Sequence, residues 1–257
     1  MTSQPQVFVS LGSFGATEVK RHGQDWFVRL CHEAGADGVE IRGELLAGND
    51  AELEVLAGSM RDLELACVYS SPDPLWDGQG RLLNQHLDKG LAAARTLGSQ
   101  TLKMSIGGFG AFADPAWPSL AGRLAEHGVT LLIENDQTPA AGCVDVLQAF
   151  FDQADQAGLN LGMTFDMGNW HWNGECPLQA AQVFSGRVRY VHCKGVQRQP
   201  TRWVAVPLQE SVMPWRALLR ALPHDVPRAI EYPLTGDDLA TITRIAIEQL
   251  RTLETTR

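Results

Sequence analysis

The chain is 257 residues long, with 44% hydrophobic and 20% charged residues and a formal net charge of −9 at pH 7. This length fits one large domain or two small ones. No stretch approaches the ~18 unbroken apolar residues that a membrane span needs, so we expect no membrane partner. The acidic balance argues against a nucleic-acid partner, because phosphate backbones repel a negatively charged protein.

The spacing of the cysteines and the first residues of the chain bear on the cellular location of the protein. The five cysteines lie far apart and form no C-x-x-C pair, which argues against a zinc knuckle or a disulfide scaffold. The first five residues contain no basic region followed by an apolar stretch, so no signal peptide is visible. We therefore expect a cytoplasmic protein.

Short apolar runs bounded by turn residues alternate with amphipathic segments along the whole chain. Such runs are typical of buried parallel strands, and the segments between them follow a helical period. We predict strands over 7–10, 38–41, 65–69, 101–106, 131–134, 162–166, 188–192 and 228–231. We predict helices over 25–36, 50–63, 81–97, 141–157, 177–184, 214–222 and 237–253, with a further helical stretch ending before Gly128.

The alternation predicts the fold. Eight units in 257 residues give about 32 residues per unit, close to the repeat of a (β/α)8 barrel. A doubly wound open sheet also alternates, but the turn at 11–15 lacks the G-x-G-x-x-G spacing of dinucleotide-binding proteins. We therefore predict an α/β fold, a single (β/α)8 TIM barrel over residues 1–257. The longest irregular stretch, 195–212, follows the seventh strand, and loops of this length are often functional.

The last four predicted strands each end in a side chain that can bind a divalent cation. Side chains alternate between the two faces of a strand, and when these four point into the barrel, each preceding residue that points outward is apolar. One strand-end carboxylate is often only a solvated loop residue, but four such ends in succession predict a metal site at the barrel mouth. Three carboxylates in one small volume would also repel each other without a cation. The four residues are Glu134, Asp166, His192 and Glu231, preceded by Ile133, Phe165, Val191 and Ile230.

The segments around these residues resemble the xylose-isomerase-like barrels. This group of sugar isomerases and epimerases includes ketose 3-epimerases and hydroxypyruvate isomerases, and also inosose dehydratases and apurinic-site endonucleases. The resemblance covers nearly the whole chain and is most specific at 132–135, 164–170, 190–194 and 230–232. It implies that Glu134, Asp166, His192 and Glu231 bind one divalent cation, and an oxygen-rich site with one imidazole could take Mn, Mg, Co or Zn.

Three positions depart from the pattern of the group. Asn169 stands where members often have a histidine, and Gly195 stands where many have an aspartate. Ala140 stands where epimerases of free ketoses have a glutamate. These departures leave the substrate unspecified.

Together, the resemblance and the two glutamates predict a divalent-metal-dependent isomerase or epimerase of a small sugar, sugar phosphate or related keto-polyol. Glu134 and Glu231 would be the catalytic residues, moving a proton through an enediolate. A dehydratase of a keto-polyol such as an inosose needs the same polarised C–H group and stays open as an alternative. A non-catalytic barrel that has kept its metal is the alternative from another class. A nuclease would need further His and Glu ligands on strands 3 and 4, which end without them.

Four further residues are candidates for substrate binding. The resemblance implies this role for Arg198, although a solvated loop charge would explain it equally well. Lys103 should face the barrel lumen, where a buried ammonium needs a partner such as Glu40 on strand 2. Asn169 and Trp170 follow the ligand Asp166. Trp170 is expected in the pocket wall, with packing as the other explanation for this tryptophan. The partner is expected to be a small sugar-like molecule, and a homo-oligomer stays open.

Overall fold

The chain folds as a closed barrel of eight parallel strands surrounded by helices. The computed structural model describes residues 5–48, 50–110 and 116–253, except for the side chain of Asp50. The strands lie around the barrel in the order β1-β10-β7-β6-β5-β4-β3-β2. They are β1 (Val7–Ser10), β2 (Gly38–Arg42), β3 (Ala66–Ser70), β4 (Thr101–Met104), β5 (Thr130–Glu134), β6 (Gly162–Asp166), β7 (Val188–Cys193) and β10 (Arg228–Ile230). The predicted (β/α)8 barrel is confirmed.

Helices follow the strands and pack on their outer faces. They are α1 (Ala16–His22), α2 (Gln24–Glu33), α3 (Asp50–Asp62), α4 (Asn84–Thr96), α5 (Trp117–His127), α6 (Pro139–Gly142), α7 (Val144–Gln156), α8 (Pro177–Phe184), α9 (Trp215–Ala221) and α10 (Leu239–Thr252). No helix within the described ranges is both long enough and apolar enough to cross a membrane.

The strands separate two apolar layers. Outward-facing side chains pack against the helices in a large outer core, while Phe8, Val68, Leu132, Tyr190 and Ala229 form a smaller cluster inside the barrel. The four neighbours predicted to face outward all belong to the outer core and are fully buried: Ile133, Phe165, Val191 and Ile230. The predicted facing of the four strand ends is therefore confirmed.

Two predicted segments differ from the observed elements. The helix predicted over 141–157 is broken at Cys143, whose backbone is extended, and Glu175 caps the second piece by accepting a hydrogen bond from the Val144 amide. The helix predicted from residue 81 begins at Asn84. The Asp77 carboxylate holds the preceding residues in a turn by accepting hydrogen bonds from the amides of Gln79 and Arg81.

The stretch predicted as irregular, 195–212, contains an antiparallel hairpin. Strand β8 (Gly195–Arg198) pairs with β9 (Trp203–Val206), with Gly195 opposite Val206. The hairpin returns so closely that a β-carbon on Gly195 would lie 2.6 Å from the Pro207 carbonyl oxygen. It rises directly from the strand that holds His192 and forms one side of the barrel mouth.

Candidate metal centre

The four predicted ligands meet at the carboxyl-terminal mouth of the barrel. Each offers one atom, and these atoms all lie within 4.8 Å of one another. The Nδ1 atom of His192 lies 2.9 Å from Glu134 Oε1, 3.0 Å from Glu231 Oε2 and 3.6 Å from Asp166 Oδ2. The convergence follows from topology, because β5, β6, β7 and β10 are consecutive around the barrel.

Glu40 orients the imidazole of His192. Its Oε2 lies 2.7 Å from His192 Nε2, and both side chains are completely buried. An ionised carboxylate can only accept, so Nε2 donates its proton to Glu40 and Nδ1 is the ring nitrogen that faces the other carboxylates. An outer carboxylate that fixes a histidine tautomer is a common support of metal sites. The sequence predicts a pairing of Glu40 with Lys103 and does not reveal this contact with His192.

Asp166 is held by one of its carboxylate oxygens. Oδ1 accepts hydrogen bonds from the backbone amides of Gly168 and Asn169, both at 2.8 Å. The Asn169 side chain donates to the Asn135 carbonyl and accepts from Gln137. Asn169 therefore stabilises the loop after β6, and its amide is already engaged within the protein.

Three basic side chains lie against the carboxylates. Lys103 Nζ is 2.6 Å from Glu134 Oε2. Lys194 Nζ is 2.8 Å from Asp166 Oδ2 and 2.9 Å from Glu231 Oε2, and Arg42 Nη1 is 3.0 Å from Glu231 Oε1. The sequence argument that the carboxylates would repel strongly without a cation is thus corrected, since the protein supplies counter-charges of its own.

These charges keep the two glutamates ionised. Burial raises the pKa of Glu134, but Lys103 and His192 outweigh it and hold that pKa below its usual value. Burial also raises the pKa of Glu231, and His192 and Lys194 more than compensate, so its pKa lies well below the usual value. Burial raises the pKa of Asp166.

The pKa of His192 moves the other way. Burial lowers it, but Glu231 and Glu40 outweigh burial and raise the pKa well above the usual value. In a site without a metal, these carboxylates therefore favour the protonated form of His192.

The donor atoms fit a divalent cation. His192 Nδ1 and Asp166 Oδ2 are buried and make no well-aligned hydrogen bond within the described chain, although both lie near charged groups. Two such atoms that face two further carboxylates are arranged as metal ligands are, around a common centre. Three carboxylates and one imidazole suit Mn, Mg, Co or Zn.

A cavity of about 340 Å³ opens beside the ligands. Arg42, Lys194 and Glu231 line its inner part, and Ser13 and Tyr232 lie on its wall. Pockets of this size suit small molecules. The barrel mouth is therefore open on the side of Glu231.

Besides Asn169, the other three candidate substrate residues lie in different surroundings. Lys103 faces the lumen, as expected, and its ammonium group forms ion pairs with Glu134 and Glu40. Trp170 is completely buried in the outer core, where it stacks on Phe184 and packs against Phe165, so its position is that of a packing residue. Arg198 lies on the exposed side of β8 with its guanidinium 5.4 Å from the centre of the Trp203 ring. It does not line the cavity beside Glu231.

Solved structures of low sequence identity share the fold. A probable 3-DHS dehydratase, AsbF, from Bacillus anthracis has a TM-score of 0.71 at 16% identity, covering 98% of this chain and 100% of that one. The IOLI protein with a binding zinc atom has a TM-score of 0.71 at 14% identity, covering 96% and 98%. D-psicose 3-epimerase with D-tagatose from Clostridium cellulolyticum H10 has a TM-score of 0.65 at 12% identity, covering 96% and 99%.

A longer protein contains a barrel of similar fold. A xylose isomerase-like TIM barrel/4-hydroxyphenylpyruvate dioxygenase fusion protein has a TM-score of 0.73 at 16% identity. The match covers 98% of this chain, which spans only 43% of the fusion protein's length. No curated protein matches the chain by sequence.

The family follows from a match that includes all four candidate ligands. The family model described as xylose isomerase-like TIM barrel matches residues 28–253, most of the chain. The resemblance stated from the strand-end motifs is thereby confirmed. The chain belongs to the xylose isomerase-like TIM barrel family.

Proposed function

We propose that the protein is a divalent-metal-dependent isomerase or epimerase of a small sugar, sugar phosphate or related keto-polyol. The observation that supports this most directly is the pair of ionised glutamates, Glu134 and Glu231, on either side of His192 Nδ1. They come from β5 and from the end of β10, which β6 and β7 separate around the barrel. A substrate held between them would have a carboxylate on each of two faces.

Glu134, Asp166, His192 and Glu231 would hold the cation. When bound, the cation supplies Lewis acidity, which polarises a carbonyl and makes the neighbouring C–H group more acidic. Asp166 and His192 are the more rigid ligands, since backbone amides fix one and Glu40 fixes the other. The two glutamates are therefore the ligands that could also transfer a proton.

Proton transfer is assigned to these glutamates. One carboxylate takes a proton from carbon, and either the same group or the opposite one returns it after the enediolate has formed. Return by the same group to the neighbouring carbon, with the hydroxyl proton moving to the former carbonyl oxygen, would shift the carbonyl. Return to the original carbon from the opposite face would invert that centre. Lys103 on Glu134 and Lys194 on Glu231 favour the ionised, proton-accepting forms at neutral pH.

The comparisons support this proposal at the level of the family. Among the structural relatives, one is named as an epimerase with D-tagatose, and another is named with a bound zinc atom. The cavity of about 340 Å³ beside Glu231 has room for a sugar-sized molecule. We further propose a small-molecule partner, no nucleic acid or membrane partner, and a cytoplasmic location, with homo-oligomerisation open.

A metal-dependent dehydratase is the second candidate. The relative named as a probable 3-DHS dehydratase favours it, and the first step, removal of a proton beside a carbonyl, is the same. A dehydratase would then expel a β-hydroxyl. Its product would be lighter than its substrate by one water, while an isomerase or epimerase product keeps the mass.

The test combines metal analysis with exchange of solvent deuterium into a panel of ketoses and keto-acids, followed by mass spectrometry. We expect one divalent cation per chain and deuterium at the carbon next to the carbonyl. Glu134→Gln and Glu231→Gln should each slow exchange about 10²–10⁴-fold while still binding metal. Glu33→Gln, an exposed glutamate on α2, is the matched control and should exchange at the wild-type rate.

Two results would count against the proposal. If the wild-type protein bound no cation under metal-replete conditions, the proposed metal site would be wrong. If the metal-loaded protein incorporated deuterium into no compound of the panel, the protein would be a non-catalytic binding barrel and not an enzyme.

A further inference from the structure

A second cavity lies at the opposite end of the barrel from the metal ligands. It has a volume of about 660 Å³ and is formed by the amino-terminal ends of the strands and the last turns of α3 and α4. Its size falls within the range of pockets that bind small organic molecules. The reaction proposed above uses none of its residues.

The inner end of this cavity is apolar. Phe8, Val68, Leu132 and Tyr190 line it, and they belong to the cluster inside the barrel. The rings of Phe8 and Tyr190 meet edge to face with their centres 5.7 Å apart. This end of the cavity can therefore receive an apolar group, and its two aromatic rings favour a flat one.

The outer rim is basic. Arg61, Arg95 and Arg189 line it, all three are exposed, and no aspartate or glutamate among the described residues lines it. None of the three forms an ion pair with a carboxylate of the described chain; Arg189 donates only to the carbonyls of Gly186 and Val188. In a chain of net charge −9, three guanidinium groups around one opening make a local site of positive potential.

Helix ends alone do not explain this rim. Arg61 and Arg95 lie in the last turns of α3 and α4, where a positive charge stabilises the helix dipole. Arg189, however, lies on β7, and its guanidinium reaches the same opening. Helix capping likewise does not account for the absence of acidic side chains from the part of the lining that the structure describes.

We propose that this cavity binds a small organic carboxylate with an apolar, flat body. The carboxylate would lie among Arg61, Arg95 and Arg189, because guanidinium groups bind carboxylates through paired, charge-assisted hydrogen bonds. The body would lie against Phe8, Leu132 and Tyr190. This is a binding site separate from the metal centre, and it does not depend on the proposed reaction.

The experiment titrates the full-length protein with 3-phenylpropionate by isothermal calorimetry. We expect one saturable site with a Kd below about 1 mM. The neutral amide of the same acid and acetate, which has the charge without the body, should bind at least about tenfold more weakly.

Variants locate the site. The double variant Arg95→Gln, Arg189→Gln should bind 3-phenylpropionate at least about tenfold more weakly, whereas Arg220→Gln, an exposed arginine on α9, should bind like wild type. Circular dichroism confirms that each variant is folded. Absence of saturable binding to wild type, equal binding by the double variant, or equal binding of acetate would each overturn the proposal.

Discussion

Glu40 is the residue on which the orientation of His192 depends. Glu40 is completely buried, and His192 is the one predicted ligand with which it forms a hydrogen bond. This bond leaves His192 Nδ1 directed at the other carboxylates. A metal ligand whose ring is fixed in advance loses less freedom when the cation binds. Glu40 should therefore contribute to metal affinity although it is not itself a ligand.

Replacing Glu40 by alanine should lower the metal affinity about 10–100-fold, as loss of such outer carboxylates typically does. The measurement is competition with a chromophoric chelator. Glu44→Ala is the control, because Glu44 also pairs with Arg42 but lies outside the ligand cluster and is partly exposed. Equal affinities in Glu40→Ala and wild type would show that the His192–Glu40 bond has no such role.

His192 also predicts how metal binding depends on pH. Its pKa in the metal-free site is raised above the usual value, so at neutral pH the proton must leave Nδ1 before a metal can bind. Below that raised pKa, each unit of falling pH should weaken the apparent affinity about tenfold. Calorimetry in two buffers of different ionisation enthalpy should find about one proton released per metal at pH 7; no release would contradict the assignment.

At the level of elements, the hairpin of β8 and β9 explains a departure from the family pattern. The resemblance described above places Gly195 where an aspartate was expected. Here a β-carbon would lie 2.6 Å from the Pro207 carbonyl and 2.8 Å from Ser211 Cβ. The close return of the hairpin permits only a glycine at this position.

Gly195→Ala should therefore destabilise the protein by about 1–3 kcal/mol through overpacking. The change would be measured as a lower midpoint of urea unfolding. Gly122→Ala makes the same substitution inside α5, where a β-carbon would contact nothing within 4 Å. That control should stabilise the protein by about 0.5–1 kcal/mol. An unchanged midpoint for Gly195→Ala would mean that the hairpin adjusts without cost.

The barrel and the meeting of the four candidate ligands were predictable because each strand end has its own local signal. An apolar run that stops at Glu134 or Asp166 needs no knowledge of its distant neighbours. The Glu40–His192 bond was not predictable in this way, because its residues are 152 positions apart and meet only when the barrel closes. The hairpin was missed although a signal existed, since two short alternating runs flank the turn at 199–202.

For the whole molecule, the balance of buried charges sets the stability of the metal-free protein. The carboxylates of Glu40, Glu134, Asp166 and Glu231 lie within 3.5 Å of Arg42, Lys103 or Lys194. Removing one member of such a buried network leaves a charge without its partner. The basic residues should thus be needed for folding as well as for chemistry.

Lys194→Met should destabilise the metal-free protein by about 3–5 kcal/mol, because Asp166 and Glu231 would lose their shared ammonium. Urea unfolding in the presence of a chelator measures this. Lys89→Met removes an exposed pair with Asp73 instead and should cost about 0–1 kcal/mol. A Lys194→Met protein as stable as wild type would show that the carboxylates need no counter-charge from the chain.

The same charge balance bears on which cation the proposed metal site would acquire. Zinc fingers cannot fold before they bind metal, so for them folding and metal choice are a single event. Here Lys103, Lys194 and Arg42 already lie against the carboxylates, so the barrel can be complete before any ion arrives. Divalent ions compete for oxygen and imidazole ligands largely in a fixed order of affinity, and supply then decides among them. The ion found in the purified protein should consequently follow the metal content of the growth medium.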